Sequence, residues 1–181
     1  MSLTVAQIVD TIRERGLELD GPEVDAALPA ALNAFGDKIA KDARPDIRNL
    51  LRKDFSVTIT SGTGSLSTAF TASEPLIAEN VKDGNLYVTS GTTPCQWLPD
   101  RTQLGLTRPA FFIYYTIDGT TLRTRNITDG SLTSLSTTMT VTGNYVPLLS
   151  SVPSQLEDEL VEEVIKVITE MRQSAQQAEA A

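Results

Sequence analysis

The residues Asp118-Gly119 stand between two runs that can each form a strand, "FFIYYTI" (111–117) and "TTLRTRN" (120–126). An Asp-Gly pair between two such runs is among the strongest short-range signals for a β-hairpin, because its backbone enters the left-handed region that a type I′ turn requires. The first run is dense in aromatic and β-branched residues and is expected at the centre of its sheet. The chain around this point must therefore pair antiparallel, and its neighbours are read against that requirement.

Those neighbours agree. "FSVTIT" (55–60) alternates apolar and polar residues, as a half-buried strand does. "NLYVT" (85–89) and "CQWLP" (95–99) are weaker strands, and "TTMTVTGNYVPLL" (137–149) is another, with Pro147 near its end. The helical crossovers that a parallel βαβ sheet needs are missing, so the sheet is expected to be antiparallel.

On both sides the period changes from two to that of a helix. Thr4 and Gln7 match a capping box, Val5, Ile8, Val9 and Ile12 share one face, and Gly16 is placed to end that helix. Pro22, Pro29 and Pro45 each suit a first helical position, which predicts three short helices. Val24, Leu28, Leu32, Phe35 and Ile39 form the inward face of the first two, and Ile47, Leu50 and Leu51 that of the third. After the strands, Ser154 and Glu157 match a second capping box behind Pro153. Leu156, Leu160, Val164, Ile168 and Met171 then make one row, flanked by Val161 and Ile165. Beyond Arg172, "QSAQQAEAA" has no anchor larger than alanine and is expected to fray.

The expected fold class is α+β. Short N-terminal helices occupy 1–54. A central antiparallel β domain, a sandwich or an open barrel, occupies 55–150. A C-terminal amphipathic helix occupies 151–173, with a flexible tail over 174–181.

With 181 residues, the chain is long enough to bury a real core. Its net charge of -8 argues against a general nucleic-acid coat or a membrane-surface protein. Most of that acidity lies in 152–181, which holds seven acids and two bases. The opening "MSLTVAQIVDTIRERG" shows no charged leader before an apolar run, and no stretch reaches the length of a membrane helix. The expectation is a soluble protein made in the cytoplasm.

Signals for catalysis are few. There is no histidine, so the usual general base and zinc ligand are absent, and the one cysteine, Cys95, reads as a small apolar residue beside Trp97. "SGTGSLS" (61–67) has Ser67 where a dinucleotide loop needs its third glycine and lacks the Walker lysine; it reads as a flexible strand-to-strand loop. "NIT" (126–128) is a chance match to a glycosylation acceptor. Glu159 with Glu163, and Asp158 with Glu162, share helix faces as solvated acids. Neither a metal nor a cofactor is expected. Lys38, Lys41, Arg44, Arg48, Arg52 and Lys53 form a candidate basic contact patch, interleaved with Asp37, Asp42, Asp46 and Asp54. Arg123 and Arg125 alternate on one face of the hairpin's second strand.

The order of regions carries a resemblance. A helical entry, "EVDAALPAALNAFGDKIAKDARPDIRNLLRKDFSVTI", runs into a β domain containing "YYTIDGTTLRTRN", and the closing helix "VPSQLEDELVEEVIKVITEM" follows. This resembles the head-to-tail adaptor (connector) proteins of tailed bacteriophages. The large β region departs from the commonest all-helical adaptors and leaves open which ring or tail component is meant. The resemblance implies a structural virion protein without catalytic residues. It implies assembly with itself into a ring beneath the portal, with portal and tail proteins as neighbours and DNA passing close by. On this reading the stripe Leu156, Leu160, Val161, Val164, Ile165, Ile168 and Met171 is the assembly interface. Two other classes fit less well: a tail-tip or host-binding β module, which needs exposed aromatics, and a small carboxylate-dependent enzyme, which needs two carboxylates in a cleft.

Overall fold

In the computed structural model, residues 3–77, 86–99, 113–128 and 131–179 are described. The chain divides into two compact units. The helical unit comprises Met1–Leu51 together with Val146–Ala181, and the β unit comprises Arg52–Tyr145. The β unit is thus an insertion into a helical body built from both ends of the sequence.

Helix α1 (Val5–Glu14) opens with the full Thr4–Gln7 capping box and buries Ile8, Val9 and Ile12. It ends as a Schellman motif: Gly16 has φ +80°, its N–H donates to Arg13, and the Leu17 N–H donates to Ile12. Helix α2 (Gly21–Ala40) is capped by Asp20, whose carboxylate accepts the Glu23 N–H at 2.9 Å.

Helix α2 corrects the expectation of separate short helices, because Pro29 lies inside it. Proline removes one ladder bond, here to the Asp25 carbonyl four residues back. Pro29 and Asp25 are both exposed, so water can serve that carbonyl. The buried face, Val24, Ala27, Ala31, Phe35 and Ile39, runs unbroken past the proline and holds the helix together. Leu28 and Leu32, expected on that face, are only half-buried. Helix α3 (Pro45–Asn49) does start at its proline.

A 3-10 turn (Ser154–Leu156) leads into α5 (Glu157–Glu179); the intervening helix α4 (Ser67–Phe70) belongs to the β unit. Ser154 makes no side-chain cap. The Leu156 N–H donates to Pro153 instead and starts the turn one step earlier. Nor does α5 fray after Arg172. It continues to Glu179 through strong helix formers with no glycine or proline to stop it.

Two sheets make up the β unit, and they do not close into a barrel. The first joins β1 (Arg52–Ile59), β9 (Thr137–Asn144), β3 (Tyr87–Ser90) and β4 (Thr93–Pro94) in that order. The second runs β2 (Thr63–Ser65), β7 (Thr121–Thr128), β6 (Ile113–Asp118) and β5 (Gln96–Trp97), with β8 (Ser131–Thr133) also on β7. All pairs are antiparallel except β5–β6, where Gln96 and Trp97 run parallel to Tyr114 and Tyr115. In the first sheet Phe55, Val57, Ile59, Val88, Met139 and Val141 point to the core, and the alternate residues point outward. Within β6, Tyr114, Tyr115 and Thr116 are all buried, as expected of a central strand; Phe111 and Phe112 lie outside the described residues.

The hairpin forms with a register one residue later than expected. Asp118 pairs with Thr121, so the two-residue loop is Gly119-Thr120. Gly119 has φ +59°, while Thr120 has no positive φ. That is the II′ pattern, with glycine at the first loop position, and not I′. The "SGTGSLS" segment is tighter than the flexible loop expected. Ser61 (φ +49°) and Gly62 (φ +79°) form a two-residue turn, with Thr60 and Thr63 exchanging both backbone bonds.

Candidate functional site

The stripe on α5 sits inside the helical unit. Leu156, Leu160, Val161, Val164 and Ile168 are buried, with α5 packed on α2 and α1. This corrects the reading of those five as an interface offered to a neighbour: they are the core of their own unit. Spacing identified the face, and α2, whose Ala27 and Ala31 are among its buried residues, supplies the partner. Of the seven stripe residues, Ile165 is half-buried and Met171 is 47% exposed.

Ion pairs fix α5 antiparallel to α2. Near the start of α5, Lys38 stands 3.9 Å from Glu162 and 3.6 Å from Glu163. Near its end, Arg172 grips Glu23. Asp158 pairs with Arg15 at 2.7 Å. The carboxylate pairs read as solvated acids are therefore partly engaged. Glu163 is mostly buried between Lys38 and Lys166, each 3.6 Å away.

Two hollows open on the helical unit among the described residues: a polar one of about 660 Å³ lined by Arg13, Gly16, Leu17, Glu18, Leu19, Asp20 and Glu23, and a more apolar groove of about 370 Å³ near the start of α2 and the end of α5. Pro22, Ala26, Ile168, Met171 and Ala175 form its apolar wall, and Asp20, Glu23 and Arg172 its polar rim. Leu17, 42% exposed, lies on the adjoining loop. Sequence reasoning missed this lip, although a leucine directly after a helix-ending glycine falls on no helix face.

The basic patch does not come together on one body. Lys38, Lys41, Arg44 and Arg48 belong to the helical unit, and Arg52 and Lys53 to the β unit. Several are engaged by their own unit's acids. Arg44 makes a bidentate contact to Asp42 at 3.1 and 2.9 Å, which holds the Asp42 carboxyl down at about 2. Lys53 pairs with Glu74 at 2.7 Å and stands 5.7 Å from the Tyr145 ring centre. On β7, Arg123 stands 3.8 Å from Asp118, and Arg125 donates to Ser134 at 3.0 Å.

Cys95 is half-buried, and that burial pushes its thiol up to about 11, away from nucleophilic use at neutral pH. Among the described residues no cluster of three or more acids or cysteines is placed to hold a metal. Among them, too, no helix is long and apolar enough to cross a membrane. The arrangement offers surfaces for contact. No protein-family model matches the chain, and comparison with curated proteins finds no match.

Proposed function

We propose that this chain is a structural virion protein, a ring-forming adaptor between the head and the tail of a tailed bacteriophage, acting by contact and not by catalysis. The observation that carries the reading is the insertion of a β unit into a helical body made from both ends of the chain. Two separate bodies let one subunit present a different surface to each of two neighbours. Ring subunits meet head to tail through unlike surfaces that close by rotation. On the helical body, the lip of Leu17, Pro22, Ala26 and Met171 is a surface available for such a contact. The net charge of -8 suits a wall beside DNA in transit, because it repels phosphate and does not trap it.

The test is the mass of the purified protein by light scattering, alone and after mixing with a purified portal ring. The reading expects a ring, either free or templated on the portal. A monomer under both conditions, with nothing retained on immobilised portal, overturns it.

A further inference from the structure

The outward face of the first sheet is polar and carries one exposed aromatic ring. Two rows of side chains cross it. Asp54, Thr142 and Tyr87 lie directly opposite one another on β1, β9 and β3, and Ser56, Thr140 and Thr89 form the next row. Strand spacing makes each row about 10 Å long, with the rows about 7 Å apart. All six project away from the core residues that alternate with them. Tyr87 is 48% exposed, which leaves much of its ring accessible beside Thr142. The Thr142 hydroxyl donates to Asp54 Oδ1 at 2.6 Å. That bond orients the carboxylate and leaves the hydroxyl oxygen able to accept.

We propose that this face binds a neutral polysaccharide. A sugar ring presents an apolar face of C–H groups edged by hydroxyls that both donate and accept. Tyr87 offers the flat ring that such a face stacks on. Asp54 offers acceptors, and Ser56, Thr89 and Thr140 offer groups that donate or accept as required. The two rows themselves carry no lysine or arginine; Arg52, in the adjoining row of the same face, is half-buried opposite the buried Asn144, and Asp54 repels anionic sugars. A row reaching about 10 Å across three strands suits two linked sugars better than one. The proposal does not rest on ring formation: its residues belong to the β unit, whereas the ring contact proposed above lies on the helical body.

The experiment is affinity electrophoresis of the full chain through gels containing dextran, mannan, galactan or linear glucan, with light scattering in parallel. At least one polysaccharide should retard the protein. Tyr87→Ala should weaken that binding about tenfold, the scale of losing one stacked ring with its buried area. Tyr87→Trp should preserve it, and both variants should keep the wild-type circular dichroism. Four results overturn the proposal: no retardation in any gel, retardation that Tyr87→Ala leaves unchanged, retardation only by an anionic polymer such as heparin, or a self-association that Tyr87→Ala abolishes. The last would assign the face to a second copy.

Discussion

Arg172 holds Glu23 with two guanidinium nitrogens, Nη2 at 2.6 and 2.8 Å from the two carboxylate oxygens and Nε at 3.0 Å from Oε1. The pair ties the late turns of α5 to the first turn of α2 across almost the whole sequence. Both side chains are partly exposed, at 52% and 36%, so the coupling should be about 0.5–1 kcal/mol. Glu23→Ala should cost about 1 kcal/mol more than Arg172→Ala, because Glu23 also closes the capping box with Asp20. A double-mutant cycle in urea checks both statements, and zero coupling would contradict the first.

Leu160 is fully buried on α5. Leu160→Ala should cost about 2–5 kcal/mol. Deleting 153–181 should unfold the helical unit, because Ile8, Ile12, Phe35 and Ile39 would lose the helix that packs against them. Loss of most of the helical circular dichroism would show this. A truncated chain that keeps α1 and α2 folded would contradict it.

Two glycines should respond differently to alanine. A Cβ on Gly64 would stand 2.8 Å from the Thr58 carbonyl oxygen and 2.6 Å from Ile59 Cδ1, and backbone cannot yield easily. Gly64→Ala should cost about 1–3 kcal/mol. A Cβ on Gly143 would meet only the ends of Leu76 and Leu86, which can rotate away, so Gly143→Ala should cost less. Thermal melts of both variants rank them.

These glycines also show what the sequence made legible. Features fixed within a few residues were readable: the Thr4–Gln7 box, the Gly16 terminator, the alternation of β1. The β6–β7 hairpin was readable as a pairing but not in its register, which places Ile117 opposite Leu122 and so shifts the turn to Gly119. Pro29 misled because the local rule against proline was outweighed by the burial of Val24 and Phe35 on either side of it. For the candidate site the difficulty was greater. The spacing of Leu160, Val164 and Ile168 declares an apolar face but not its occupant, and the occupant, α2, lies more than a hundred residues away. Tyr87 drew no notice because its exposure depends on which way β3 faces.

Tyr115 should make the protein sensitive to alkali. Burial pushes its hydroxyl up to about 12, and that hydroxyl donates to the Leu86 carbonyl at 2.9 Å. The folded state therefore holds this proton more tightly than the unfolded chain, whose tyrosine titrates near 10. The contribution is complete below about pH 10 and is lost as pH rises from there to about 12. Tyr115→Phe should be less stable than wild type at pH 8, with a smaller further loss at high pH. Urea melts across that range check it.

Cys95 should alkylate slowly. With its thiol raised to about 11, the thiolate fraction at pH 8 is a small fraction of that in a free cysteine. Iodoacetamide should react far faster in denaturant than in buffer. Equal rates in the two would contradict the burial.

The insertion of the β unit sets an order of events during synthesis. Helices α1 and α2 leave the ribosome before the strands, and α5 leaves after them, so the early helices must wait for the partner that completes their core. Closing so long a loop by chance is slow and entropically costly. Arg52 pairs with Asn144 at the very ends of β1 and β9, which brings the chain's departure from the helical body and its return to adjacent positions. Once those two strands zip together, the search that α5 must make shortens from the whole insertion to the twelve residues between Asn144 and Glu157. Substitutions that slow β1–β9 pairing should therefore delay the burial of Phe35, although no atom of that phenylalanine belongs to the sheet.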